Sequence, residues 1–151
     1  MILKRQLTTA ALVISAAMTT TLTARNVVVP QAYMFGFAAS FNDTIVHFTE
    51  VQAVDSVWMD SKTHFLSGRE NYSNALREYL ASQQFPHRTC VVIFDKNLKR
   101  LQKKYMKMKK LYAGDGKKAR HDNDIRTIAT SEFRFRAVNM GDNEDTTESG
   151  K

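Results

Sequence analysis

The side chains most able to do chemistry are concentrated in one stretch. Lys99, Lys103, Lys107 and Lys110 recur at steps of four and three, flanked by Lys96, Arg100 and Lys104. On a helix that spacing stacks ammonium groups along one side. A row of this kind can hold the phosphate, sulfate or carboxylate groups of a polyanion. Lys99, Arg100, Lys103, Lys104, Lys107 and Lys110 are therefore the candidate anion-binding residues. The plainer reading is a solvated helix face, where Lys is common and well tolerated. Like charges at i,i+4 cost roughly 0.2–0.5 kcal/mol per exposed pair. No acid inside the segment relieves them, so a partner of opposite charge is expected. Nucleic acid, acidic polysaccharide, lipopolysaccharide phosphate or an anionic membrane would each satisfy the row.

The other chemistry-bearing residues are scattered. His47, His64, His87 and His121 show no metal-ligand spacing with one another, with the single Cys or with an acid. His47 is expected on the polar face of a hairpin, as a lone surface histidine. His87 lies three residues before Cys90, and on a strand that spacing sends the side chains to opposite faces, against a Cys–His nucleophile pair. Asp55 and Asp60 flank Trp58 and could line a sugar pocket, although a Trp there more often plugs a core. The chain has no phosphate-cradling Gly-rich loop, nucleophile elbow or zinc signature. Neither catalysis nor a cofactor is expected.

The elements that must position these residues can be read from periodicity. Residues 33–54 predict a β-hairpin turning at Asn42-Asp43, two residues that tolerate positive φ. A two-residue loop pairs Phe37 with Phe48 and Ala39 with Val46, which puts Phe35, Phe37, Ala39, Val46 and Phe48 on one face. Beyond Glu50, Val51 and Val54 break the alternation, as a bulge or register change would. Residues 55–66 read as a loop or short irregular helix. Ser67-Gly68-Arg69-Glu70 matches a capping box before a helix carrying Tyr72, Ala75, Leu76, Tyr79 and Leu80, which Pro86 stops. Residues 89–94 predict a third strand, with Cys90 as a small core hydrophobe. Asp95 is the expected N-cap of the basic helix, whose apolar stripe is Leu98, Leu101, Tyr105, Met108 and Tyr112 and which ends at Gly114-Asp115-Gly116. Residues 125–129 form a short extended segment. Residues 132–138 alternate Phe133, Phe135 and Ala137 with Arg134 and Arg136, as a half-buried edge strand would.

The expected fold is α+β: a two-layer sandwich of a four-stranded mixed sheet and two helices in the order β-β-α-β-α-β, with both helices on one face. At 151 residues one such domain is adequately cored. Composition agrees, with 43% hydrophobic and 25% charged residues. The formal net charge is +7, and it is segregated. Residues 96–120 hold eleven Lys or Arg against Asp115 alone, whereas residues 139–151 hold four acids against Lys151. That acidic tail lacks large apolar residues beyond Met140 and is expected to be disordered.

The N-terminus reads as an export signal. Lys4 and Arg5 precede an uncharged apolar run, residues 10–18, followed by small and polar residues to Ala24. The run is short of the roughly 20 apolar residues that span a membrane, so no transmembrane segment is expected. Cleavage after Ala17, after Ala24 or as late as Ala32 is compatible with the pattern. Residues 33–138 are then the folded domain, in the periplasm or secreted.

Residues 35–44, from Phe35-Gly36-Phe37 to Asp43-Thr44, together with Val54-Asp55-Ser56-Val57-Trp58, the Tyr72 helix and the Lys-rich helix, resemble small exported proteins of Bacteroidales bacteria. The likeness spans most of residues 33–138. It implies export and carries no activity. It also implies that Asp43-Thr44-Ile45, Asp55-Ser56-Val57 and Asp145-Thr146-Thr147 have the form of glycan attachment sites.

The function expected from the residues is non-catalytic binding: a small exported module whose basic helix faces an anionic surface polymer or envelope partner. An intracellular nucleic-acid-binding protein is the first alternative. Phe133 and Phe135 beside Arg134 and Arg136 would then supply an aromatic-basic surface, although no nucleic-acid motif is present. An enzyme whose site assembles only in three dimensions is the second.

Overall fold

The computed structural model describes residues 25–114 and 122–141. The expected export segment (1–24), the Asp115-Gly116 helix stop, His121, the third Asp-Thr sequence at Asp145 and most of the acidic tail lie outside them.

Strand β1 (Asn26–Ala39) organises the molecule. It pairs antiparallel with β2 (Ile45–Thr49) and with β3 (Gln52–Asp60). Helix α1 (Arg69–Ser82) leads to β4 (Thr89–Asp95), which is antiparallel to β1 from Tyr33 to Ala39. Helix α2 (Leu98–Tyr112) leads to β5 (Asp124–Ile128), parallel to β2. Residues 33, 34, 37 and 38 of β1 pair on both sides, so β2 and β3 share one flank of β1 and β4 takes the other.

The hairpin register is the one the alternation predicts, Phe37 opposite Phe48. The turn itself occupies residues 40–44 and uses no positive φ. Ser40 Oγ accepts from the Asn42 amide and Asp43 Oδ1 from the Ile45 amide. The register change after Glu50 is a one-residue slip: the Phe37–Phe48 ladder gives way to Met34 opposite Gln52. Side chains and a distant carbonyl satisfy the interrupted ladder. The Gly36 amide donates to Thr49 Oγ1 at 2.8 Å and the Glu50 amide to the Ile128 carbonyl at 3.0 Å. That slip divides one bent strand into β2 and β3, giving five strands among the described residues where four are expected.

The fold is thus the expected α+β sandwich of a mixed sheet and two helices. Several finer expectations are corrected. Residues 55–60, expected as loop or irregular helix, continue strand β3. Their alternation is masked because the register skips Ser56 and Pro30, with Ser56 at φ 55, so burial steps from Val54 to Val57 and Met59. The last strand is β5, and residues 132–138 are not a strand. They strap across the sheet: Gln52 Nε2 donates to the Phe133 carbonyl and Gln52 Oε1 accepts from the Phe135 amide, at 2.8 and 2.9 Å. Phe133 and Phe135 do turn inward, packing against Tyr79 and Tyr72. The α1 N-terminus has no capping box. Gly68, at φ 66, is the N-cap, and Ser67 Oγ donates to Asn26 Oδ1 instead.

The helices take opposite faces of the sheet rather than one. Ala32, Met34, Ala38, Cys90 and Val92 pack with Tyr72, Leu76 and Leu80 of α1. Phe35, Phe37, Val46 and Phe48 pack with Leu101 of α2, and with the part-buried Tyr33, Ile93, Tyr105, Met108 and Tyr112. The cause is directional. The chain crosses β1 one way from β3 to β4, then returns past β1 and β2 to β5. Crossovers of one hand that travel in opposite directions must use opposite faces.

Gly36 lies beneath α1, where a Cβ would stand 2.4 Å from Leu76 Cδ2 and 3.2 Å from Phe135 Cζ. The close approach of α1 and the strap to the sheet needs a residue without a side chain there. The strap is also tied to α1, the Val138 amide donating to the Tyr72 hydroxyl at 3.1 Å. Tyr72→Phe, which removes one such bond, is expected to lower stability by about 1 kcal/mol in a urea titration.

Candidate anion-binding site

The basic residues reach the surface because α2 has only one apolar side. Leu101, Tyr105, Met108 and Tyr112, at helical spacing, bury that side against the sheet. Leu101 is fully buried, and Tyr105 meets the Phe35 ring edge-on at 5.0 Å. Every cation except Lys109 is left exposed on the remaining arc. The N-cap is Asn97, not Asp95: its side chain accepts from the Arg100 amide at 3.0 Å.

Asp95, just ahead of the helix, does different work. Its Oδ1 accepts from the Asn97 amide and from Arg100 Nη2 at 2.8 Å, and its Oδ2 from Lys104 Nζ at 3.2 Å. Desolvation pushes the Asp95 carboxyl up, but the Asn97 amide and the two cations outweigh it and hold it below its usual range. An anion near the helix start also offsets cations that the N-terminal end of the dipole disfavours.

The six predicted residues therefore divide in two. Arg100 and Lys104 turn towards Asp95. Lys99, Lys103, Lys107 and Lys110 stay together on the outward side, where among the described residues none pairs with a carboxylate. At 1.5 Å per residue the row runs about 16 Å. With Gln102 and the half-exposed Met106 these four line an open depression of about 580 Å³. Lys109 leaves the row for the sheet edge, where its Nζ donates to Thr127 Oγ1 at 3.0 Å and lies over the Tyr105 ring.

The remaining sequence candidates do not converge. Asp55 accepts from Gln31 and Asp60 holds the 61–65 turn, so both carboxylates are engaged in local structure. Among the described residues no group of His, Cys, Asp and Glu could hold a metal ion. Cys90 is buried, and burial pushes its thiol up, away from a reactive thiolate. Thr44 and Ser56, the hydroxyls of two Asp-Ser/Thr sequences, are exposed. His47 is corrected from surface to interior. It is 4% exposed, with its ring 4.8 Å from that of Phe85 and its Nδ1 without a hydrogen-bond partner among the described residues. Beside it lies the buried Arg88, which is bound to Asp43 at 2.6 Å and stacked on Phe85.

Sequence reasoning missed the role of Asp95 in dividing the cations, and the loop that faces them. It could have weighed Asp95, five residues before Arg100 and nine before Lys104. No family model matches the chain, and neither a curated protein nor a solved structure similar to it was found. No helix among the described residues is long and apolar enough to cross a membrane.

Proposed function

We propose that this is a small exported, non-catalytic binding module that holds an anionic surface polymer or envelope partner on the outward row of α2. One observation carries the reading: Lys99, Lys103, Lys107 and Lys110 form a single exposed row without a carboxylate partner among the described residues, on a helix that contains no acid. Arg100 and Lys104 share the carboxylate of Asp95, whereas the row is a surplus that an outside anion can neutralise. A repeating anion suits it, because the ammonium groups recur about every 6 Å along the helix axis.

Export rests on the basic and apolar pattern of residues 1–24. A cut after Ala17 or Ala24 leaves β1 whole, whereas a cut after Ala32 removes half of it, including the fully buried Ala32. The earlier cuts are therefore favoured. A mass from the native host matching one of them, outside the cytoplasm, supports export. An uncleaved cytoplasmic chain overturns it and transfers the row to nucleic acid.

The row is tested by reversing its charge. Lys99→Glu, Lys103→Glu and Lys107→Glu together are expected to abolish retention of the full chain on a sulfated polysaccharide resin. The circular dichroism spectrum and melting temperature should stay unchanged, since all three side chains are exposed. Retention equal to the wild type would remove the helix from consideration. Retention of the wild type should also fall steeply with added salt, as competition between counterions and a polyanion requires.

A further inference from the structure

The other half of the divided cations faces a second place on the molecule. β1 and β3 continue past the end of β4: Asp95 pairs with Tyr33, whereas β1 starts seven residues earlier at Asn26, opposite Asp60. The overhang, about 23 Å of strand, leaves a notch beyond the carboxyl end of β4. The connection from β3 leads to α1 on one face and that from β4 to α2 on the other. At that end of β4 lies a cleft of about 390 Å³, lined by Met59 of β3 with the 63–65 loop that follows it, and by Phe94, Asp95, Lys96, Arg100 and Lys104 at and after the end of β4.

Its two walls differ in chemistry. Lys96, Arg100 and Lys104 supply three cations against the single carboxylate of Asp95. Asp95 is already shared between Arg100 and Lys104 and holds both in place. The 63–65 loop adds Phe65, 63% exposed, and the strands add Met59 and Phe94 to the lining. A ring this exposed leaves a face on which the ring of a ligand can stack. The loop that carries it is fixed. Asp60 Oδ1 accepts from the Lys62 and Thr63 amides and from the Thr63 hydroxyl, the Asp60 amide donates to the Phe65 carbonyl, and His64 sits at φ 59. A rigid loop presenting a ring towards oriented cations is preorganised, which lowers the ordering cost of binding.

We propose that this cleft binds a small organic anion in which a phosphate or carboxylate group is joined to a ring: the anionic group on Lys96, Arg100 and Lys104, the ring on Phe65. The site is separate from the outward lysine row and does not depend on it.

The test is a titration of the isotope-labelled full chain, followed by amide NMR, with phenyl phosphate, inorganic phosphate and phenol. Phenyl phosphate is expected to shift the Thr63, His64, Phe65, Lys96 and Arg100 amides saturably and to bind at least tenfold tighter than either fragment. Phe65→Ala and Lys96→Ala, both at exposed positions, should each weaken it about tenfold with the rest of the spectrum in place. The triple Glu variant of Lys99, Lys103 and Lys107 should bind it within a factor of two of wild type. Absence of saturable shifts at those amides, equal affinity for phosphate and phenyl phosphate, or loss of binding in the triple variant alone would each overturn the proposal.

Discussion

Replacing Gln52 with leucine is expected to destabilise the protein by about 2–4 kcal/mol and to release the strap. Gln52 is 4% exposed at the start of β3 and acts as a substitute strand neighbour, donating to the Phe133 carbonyl and accepting from the Phe135 amide. Leucine keeps the volume but offers neither group. The Phe135 amide then remains buried without a partner, and each such loss costs about 1–3 kcal/mol. The strap cannot easily turn the amide outward, because the Phe135 side chain is 4% exposed and packed over Gly36 and Tyr72. A urea titration gives the stability. Hydrogen exchange at the Phe135 amide, slow in the wild type and fast in Gln52→Leu, locates the loss. Gln52→Glu sharpens the reading: it keeps the acceptor but places a carboxylate against the Phe133 carbonyl. That geometry favours the protonated acid, so the stability of this variant should rise as the pH falls through the carboxyl range. A Gln52→Leu protein as stable as the wild type would mean that the strap is held by its rings alone.

The strap also marks a limit of sequence reading. Phe133, Phe135 and Ala137 alternate with Arg134 and Arg136 as a half-buried strand does, and the rings do face inward. What turns alternation into a strand is a neighbouring ladder, and here the neighbour is one side chain 81 residues away from Phe133. Local pattern carries burial but not the source of the hydrogen bonds. The same distinction explains the hairpin. Its register was legible because one face is aromatic and a slip of one residue would expose it. The continuation of that hairpin into β3 was not legible, because the register skips Pro30 and Ser56 and burial changes parity there. The face chosen by each helix depends on strand order, and periodicity within a helix carries no information about that order.

For the candidate site, charge and period located the cations and their exposure. Their division required Asp95, which precedes the helix and so lies outside any i,i+4 pattern, and the 63–65 loop, which the topology brings across from the end of β3. The two groups differ by about one step around the helix. Yet one meets only solvent among the described residues, and the other meets a carboxylate and an aromatic ring.

The stability of the protein is expected to fall by about 3 kcal/mol between pH 6.5 and pH 4, and His47 is the residue responsible. Burial, then the positive charges of Arg88 and Arg126, push its pKa from 6.5 down to about 4, although Asp43 and Asp124 pull the other way. The unfolded chain takes up a proton near pH 6.5, while the folded protein refuses it until about pH 4. Between those limits the unfolded state binds more protons, so stability must decrease as pH falls. The size follows from about 1.4 kcal/mol per unit over the separation of the two values. Asp43 contributes in a different window. Desolvation raises its carboxyl, but the bonds from Arg88 and the Ile45 amide hold it below 3.8, so its share is lost only at lower pH. His47→Leu separates the two. At pH 7 the variant should be as stable as the wild type or slightly more so, since it removes a buried Nδ1 that has no partner among the described residues. Between pH 6.5 and 5, above the range in which the depressed carboxyls of Asp43, Glu50, Asp60 and Asp95 lose their share, its urea midpoint should stay nearly level while that of the wild type falls. Parallel decline in both proteins would place the proton uptake elsewhere and mean that His47 accepts a proton in the folded state, with the ring moving off Phe85 towards solvent.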